Sequence, residues 1–378
     1  MIGLGGIFHD LREQDHIFMN QRNLLKHTRK EFFEHVMRVA ILCDGDRSIG
    51  AGHFFRCSAV AYELLQHSSS VIFIIPSLAL EALVEQSKFP YKLVPELFDN
   101  SIAAAERVLA ELESAGVDRI LLDSHRVTKT LLEIIQEKFL TIYFDDLLMY
   151  PYPVNILVNF HVDASIDDYQ NLYRYSDTTI PRFLIGTEYF PLKRSSYQKV
   201  CLYKNRKHVG FFAGGSDPDH VTLRMLKYIL KNKILFKYTL HVVVGKMNTD
   251  YEEVKSLCFR NHNIQLYYGL SDLSGIYKQI DLAISAAGIT LYELAYYGVP
   301  SVVYSMVDNQ KHTAIEFARR GLSINIGDSR TEPIFPRMFE TVQKMLDNDM
   351  ILKTMSKKGS QIVDGEGAKR ISDIIFGG

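Results

Sequence analysis

Three corners of the sequence bring glycines together with side chains that can carry a proton or hold an anion. The first is DRSIGAGHFFRC, Asp46–Cys57, in which His53 follows Gly50 and Gly52. Glycines after a strand let a ligand approach the backbone closely, and the start of a helix offers free N–H groups to an anion. An imidazole placed there titrates near neutrality, so it could donate to a phosphate oxygen or take a proton from water. The same residues also read as a tight turn followed by a helix-capping histidine. The third glycine of a dinucleotide fingerprint is missing, which disfavours NAD.

The second corner is FFAGGSDPDHVT, Phe211–Thr222. Gly214 and Gly215 turn after a strand, and Ser216 or Asp217 can cap the next helix, with Pro218 early in it. It could present amides to a phosphate or a base edge, or be an ordinary capped turn. The third corner runs from Ile284 to Gln310. Small residues Ser285, Ala286, Ala287 and Gly288 end a strand, Ile289 follows, and Thr290 opens a helix where its hydroxyl and the helix amides could meet a phosphate. Glu293, one turn on, could accept a ribose diol, and Asn309 and Gln310 supply neutral donors and acceptors after the next strand. Each residue alone is compatible with a structural role. Their joint placement at strand ends in both halves points to a ligand cleft.

The elements that must position these residues alternate short β-branched runs with amphipathic segments. VAILCD, VIFIIP, RILLD, TIYFDD and ILVNF read as strands, with helices near Ser58–Gln66, Leu78–Gln86, Ser101–Glu113 and Lys129–Glu137. A second series, HVGFFAGG, TLHVVVG, IQLYYG, LAISAAG and SVVYS, alternates with helices near Leu223–Leu230, Tyr251–Phe259, Ser271–Gln279, Thr290–Tyr297 and Lys311–Arg319. Continuous apolar strands separated by helices indicate parallel sheets covered on both faces. The expectation is an α/β chain of two Rossmann-like domains facing across a cleft, with ligands at the carboxyl ends of the strands. Residues 1–36 read as an extension, helical over Leu24–His35, and 37–190 and 207–334 as the two domains. A connection spans Tyr169–Lys207, and helices in 335–378 are expected to pack back on the first half.

Composition narrows the function. The chain has 378 residues, 47% apolar and 23% charged, with net charge −1, so no basic field suggests nucleic acid. The four cysteines, Cys43, Cys57, Cys201 and Cys258, form no C-x-x-C pair, which speaks against disulfides and zinc and for a reducing, cytoplasmic setting. No apolar run is long enough for a membrane helix, so stable membrane insertion is not expected. No metal-binding acidic motif stands out, and the reading requires neither metal nor cofactor.

SAAGITLYELAYYGVP resembles a segment of GT-B glycosyltransferases, S/G-x-x-G-x-x-x-x-E-x-x-x-x-G-x-P. More narrowly, the chain is similar to the UDP-sugar hydrolases of pseudaminic acid biosynthesis and their spore-coat polysaccharide relatives. That family's G-x-G-H-x-x-R is matched by Gly50, Gly52, His53 and Arg56, and its aspartate-pair strand and following strand by Asp145, Asp146 and Asn159. GGSDP, DNQ at Asp308–Gln310 and DGEGAKRI follow in family order, and the likeness covers roughly Met37 to Ile371. Where the family has a tyrosine after a short strand, this chain reads DSHR, with His125. Imidazole is shorter and can carry charge, so sugar choice or hydrolysis itself can differ there. His125 also reads as a plain polar residue at a strand end.

The resemblance implies hydrolysis of a UDP-linked 2,4-diacetamido-2,4,6-trideoxyhexose at its anomeric C–O bond. His53 would direct the water. Gly214, Gly215, Ser216, Ala287, Gly288, Ile289, Thr290 and Glu293 would hold the nucleotide. Gly50, Gly52, Arg56, His125, Asp145, Asp146, Asn309 and Gln310 would face the sugar or its phosphate. Asp145 and Asp146 either act on the substrate or shape their loop. Two rivals stand beside hydrolysis: a glycosyltransferase passing the sugar to an acceptor, and a non-catalytic nucleotide-sugar binding protein.

Overall fold

Apolar runs without alternation become strands buried on both faces, and Val39–Cys43 has no exposed surface at all. The computed structural model describes residues 36–45, 51–193, 208–233, 238–331 and 333–377. The expected Leu24–His35 helix, Gly50 and Cys201 lie outside the described residues. Residues Arg38–Gly378 group as one compact unit.

The front sheet contains β1 (Met37–Cys43), β2 (Ser69–Ile75), β3 (Tyr91–Leu93), β4 (Arg119–Asp123), β5 (Leu140–Phe144), β6 (Ile156–Asn159) and β7 (Arg182–Ile185). Its helices are α1 (Gly52–Leu64), α2 (Glu81–Ser87), α3 (Ile102–Ser114), α4 (Lys129–Gln136) and α5 (Ile166–Tyr173). The rear sheet contains β8 (His208–Phe212), β9 (Thr239–Val244), β10 (Ile264–Tyr268), β11 (Leu282–Ala286), β12 (Ser301–Ser305) and β13 (Ser323–Asp328). Around it lie α6 (Val221–Asn232), α7 (Tyr251–Phe259), α8 (Ser274–Tyr277), α9 (Thr290–Tyr297) and α10 (Asp308–Arg319), then α11 (Ile334–Leu346), α12 (Asp349–Ile362) and α13 (Gly367–Gly377).

Every pairing is parallel, in the orders β3-β2-β1-β4-β5-β6-β7 and β10-β9-β8-β11-β12-β13. These are two Rossmann-like domains, as expected. In each, chain order reverses beside the first strand, between β1 and β4 and between β8 and β11. Ligands bind open sheets of this kind at that reversal, beyond the carboxyl ends of the strands. All three glycine corners lie at these two places.

Five elements depart from the sequence reading. β3, β7 and β13 are absent from it, because runs of three or four residues, or a strand reading SINIGD, show no countable period. α5 and β7 fill the first part of what reads as a connection. α1 begins at Gly52 rather than Ser58, since His53, Phe54, Arg56 and Cys57 already form its buried face.

The two halves touch along a shared apolar core, in which Phe160 and Phe190 of the front half pack with Tyr292 of α9. The Phe190 and Tyr292 rings stack at 4.6 Å. From the far end of the chain, α13 reaches back to the front half, where the Arg119 guanidinium donates to the Ile375 carbonyl.

Backbone meets backbone behind the second corner. A Cβ on Gly245, at the end of β9, would lie 2.2 Å from the Gly215 carbonyl oxygen and 2.5 Å from its Cα. Such crowding cannot be relieved by a side-chain rotation, so Gly245→Ala must displace the Gly214–Ser216 turn. Overpacking of this kind costs about 1–3 kcal/mol. The expected outcome is a lowered melting temperature, read by thermal denaturation; an unchanged melting temperature would show that the turn gives way without cost.

Candidate active site

His53 and Arg56 are three residues apart on α1 and so project from one face of the helix. Both reach the carboxylate of Asp123, the last residue of β4. His53 Nδ1 lies 2.6 Å from Asp123 Oδ1, and Arg56 Nε donates to Oδ2 at 2.6 Å. Arg56 Nη2 also lies 3.1 Å from His53 Nδ1. The shorter contact sets the tautomer: Nδ1–H donates to Asp123, which leaves Nε2 as the basic ring atom.

The same guanidinium spans to a second carboxylate. Its two terminal nitrogens donate to Asp146, Nη1 to Oδ1 at 3.0 Å and Nη2 to Oδ2 at 2.8 Å. Asp146 also receives two imidazoles, His125 Nε2 on Oδ2 at 2.9 Å and His161 Nε2 on Oδ1 at 3.0 Å. The His53 and His125 rings meet edge to face at 4.7 Å. Beneath them the Arg56 guanidinium lies over Phe160 at 5.1 Å and Phe144 at 5.6 Å.

Charge explains why so many ionisable groups coexist. Burial alone would raise both carboxyls, but Arg56 reverses this at each. Asp123 and Asp146 are therefore held below the usual carboxylate range, with His53 adding at the first and His125 and His161 at the second. Burial works against the Arg56 cation, and the two aspartates more than offset it. Two carboxylates and one guanidinium leave one negative charge, which accommodates one imidazolium. The hydrogen bond from His125 to Asp146 raises that imidazole's affinity for a proton, against the opposing effect of burial. Cys57 Sγ lies 3.4 Å from Asp123, but burial and that negative charge raise the thiol well above its ordinary value. A buried protonated thiol is a poor nucleophile.

His53, His125 and Asp146 place three potential metal ligands within 4.8 Å of one another. Asp146, however, already accepts from Arg56 twice and from two histidines, which uses the four lone-pair positions of a carboxylate. A guanidinium on the same oxygens also opposes a second cation. The chemistry of this donor set is protonic.

The remaining expected residues divide by place. Gly52 opens α1, and a Cβ there would come within 3.1 Å of Ile289 Cδ1, so the first corner faces the third across the cleft. Leu291 and Tyr292 turn back to the carbonyls of Gly288 and Ile289, while the amides of Ile289 and Thr290, at the helix start, have no acceptor within α9. Ala287 donates to the Tyr304 carbonyl at 2.9 Å and is buried. Glu293 accepts from the Tyr277 hydroxyl. Burial and the nearby Asp272 push the Glu293 carboxyl up to about 7, against the Tyr277 hydrogen bond. Gln310 Oε1 accepts from the Met306 amide at 3.0 Å, which leaves its nitrogen near Gly288. Asn309 is exposed in the first turn of α10.

At the second corner Gly214 adopts φ +79°, a conformation favoured by glycine, and Gly215 and Ser216 stay partly exposed. Asp217, not Ser216, caps α6, accepting from the amides of Val221 at 2.8 Å and Thr222 at 2.9 Å. Pro218 lies in the turn before the helix rather than inside it. Asp145 is fully buried and accepts from the Leu147 and Leu148 amides and, at 2.6 Å, from the Tyr169 hydroxyl. Those contacts shape its loop.

Sequence reasoning missed Asp123, His161, Tyr277 and Tyr292. Asp123 was within reach as the first letter of DSHR; the others carry no local signal.

Comparison with known proteins agrees with this architecture. Residues 211–372 match the glycosyltransferase family 28 C-terminal domain. The spore coat polysaccharide biosynthesis protein SpsG of Bacillus subtilis (strain 168) is 24% identical over 90% of this chain and 98% of its own. The Helicobacter pylori (strain ATCC 700392 / 26695) pseudaminic acid cytidylyltransferase and UDP-2,4-diacetamido-2,4,6-trideoxy-beta-L-altropyranose hydrolase is 27% identical over 77% of this chain, which spans 48% of that longer protein. The crystal structure of Acinetobacter baumannii MurG superposes with a TM-score of 0.61 over 90% of this chain and 100% of that one, at 16% identity. Two facing parallel sheets, a glycosyltransferase family 28 C-terminal domain over residues 211–372 and these likenesses together show a GT-B-like fold and a chain related to the SpsG and pseudaminic acid hydrolase proteins.

Proposed function

We propose that the protein is a cytoplasmic UDP-sugar hydrolase. It takes a UDP-linked 2,4-diacetamido-2,4,6-trideoxyhexose and releases UDP and the free sugar for a nonulosonate or related surface polysaccharide. The observation that carries this reading is the Asp123–His53 pair at the start of α1, opposite the Ile289–Thr290 helix start.

Asp123, kept ionised by Arg56, holds the His53 Nδ1 proton so that Nε2 can accept one from water. The water oxygen bonds to the anomeric carbon as the C–O bond to the β-phosphate breaks. The bonding pair leaves with UDP, and the water proton passes to Nε2. UDP is a good leaving group, so the rear site has only to hold the growing negative charge with the amides of Ile289 and Thr290 and the Thr290 hydroxyl. Gln310 and the Gly214–Ser216 turn extend that cradle.

Incubation with a panel of UDP-amino-sugars in ¹⁸O water tests this directly. Release of UDP without acceptor, with the label on the sugar, is the expected result. Label on the phosphate would refute C–O cleavage, release only with an acceptor would mean transfer, and binding without release would mean a sensor.

Glu293 supplies a second check. Its carboxylate would accept the ribose diol, and its proton affinity lies near neutrality. UDP affinity is therefore expected to weaken as pH falls, by ~10-fold between pH 8 and pH 6 if only the ionised form binds. Glu293→Gln should bind weakly and lose this dependence. Calorimetric titration across the range decides the matter.

A further inference from the structure

Four consecutive residues after β6, Phe160–Asp163, each touch something different. Phe160 lies under the Arg56 guanidinium and edge-on to Tyr292, with ring centres 6.0 Å apart. His161 bonds Asp146 and presents its ring edge to Tyr292 at 6.3 Å. The Val162 amide donates to the Tyr292 hydroxyl at 3.1 Å. Asp163 pairs with His312 Nδ1 at 2.5 Å.

On the rear half these contacts fall on the two helices that carry the nucleotide-facing residues. Tyr292 lies between Thr290 and Glu293 on α9, and His312 follows Gln310 by two positions on α10. On the front half they end at Asp146, which orients His125, and at Arg56, which orients Asp123 and His53. Phe160, Val162 and Tyr292 are all buried, so the link is packed on every side.

We propose that His161 and Tyr292 are positioning residues that couple the two halves: occupation of the rear nucleotide site fixes the Phe160–Asp163 loop, which holds Asp146 and so sets His125 and His53 for reaction. The proposal rests on reading the Thr290–Glu293 corner as the nucleotide site. Coupling through a packed chain of this kind typically amounts to ~2- to 30-fold in an equilibrium. His161 needs only its Nε2–H for this role, and Tyr292 only its hydroxyl.

Three variants of the full chain separate the parts. Tyr292→Phe keeps the ring and removes the bond to Val162. His161→Phe keeps an aromatic ring beside Tyr292 and removes the donor to Asp146. His161→Gln restores an N–H near the same place. UDP affinity is measured by calorimetry, turnover by UDP release, and the state of His53 and His125 by their imidazole ¹H–¹⁵N signals with and without UDP. In the unaltered protein UDP is expected to move both imidazole signals. Tyr292→Phe and His161→Phe should bind UDP within about twofold of normal, show less than half of that movement and turn over ~2- to 30-fold more slowly, while His161→Gln recovers most of the rate. Equal movement of the signals in Tyr292→Phe, or full turnover in His161→Phe, overturns the coupling. UDP binding that leaves the signals still in the unaltered protein overturns it as well. A protein that binds no UDP sinks the nucleotide reading itself and the coupling with it.

Discussion

His53→Ala is expected to bind UDP within about twofold of the unaltered protein while its turnover falls ~10²- to 10⁴-fold, the range for loss of a positioned general base. The separation follows from geometry. The His53 side chain contacts Asp123, Arg56 and the His125 ring, all on the front half, whereas the groups proposed to hold UDP belong to the rear half. Loss confined to kcat, with substrate affinity kept, marks an interaction made in the transition state. Removing the imidazole also leaves Asp123 with Arg56 as its partner, so no buried charge is stranded and the fold should hold. Steady-state rates and calorimetry on the purified variant give both numbers. Full turnover in this variant would remove the proposed base.

The proton positions on the paired histidines belong to the same argument. His53 can accept the water proton only with its Nε2 lone pair free. His125 has the opposite requirement if its charge matters, because Asp146 raises its proton affinity and it loses the proton only at higher pH.

Much of this could be read from the chain because the relevant signals are local. Uninterrupted apolar runs such as Val39–Cys43 must be parallel strands, and glycines directly after them mark ligand corners. His53, Arg56, Asp146 and Glu293 belong to motifs a few residues long, and it was through those motifs that the family resemblance reached them. The partners that give them their chemistry are not local. Asp123 is 70 residues from His53, and Tyr292 is 130 residues from Val162. Only the strand order brings β1 beside β4, or α9 against the end of β6. The sharing of one arginine by two carboxylates also leaves no trace in spacing, since it depends on side-chain reach across a folded sheet. Asp145 and Asp146 show the limit well. Adjacent and alike in sequence, they point to opposite sides of the chain, so one ties down its own loop and the other anchors two histidines.

The largest effect on stability is expected from Arg56→Met. The guanidinium is buried and bonded to both Asp123 and Asp146, and methionine supplies comparable bulk without the charge. Replacing a whole buried ion cluster by apolar groups can be neutral, but removing one partner strands the others, at a cost of about 3–5 kcal/mol. Here two carboxylates are left in a buried site with only histidines for partners. The pH dependence carries the sign. In the unaltered protein both carboxyls are held below their ordinary range, so their contribution is present above about pH 4 and is lost as pH falls further. In the variant only the neighbouring histidines oppose burial, so the proton affinity of the two carboxyls rises and folding improves as acid neutralises them. The gap in melting temperature between the two proteins is therefore expected to be widest near pH 8 and to narrow toward pH 5. Histidines shared with Asp146 soften the trend, because an imidazolium at His125 or His161 can replace part of the missing charge. A gap that stays constant, or widens with acid, would mean that Arg56 stabilises by packing against Phe144 and Phe160 rather than by pairing with the two aspartates.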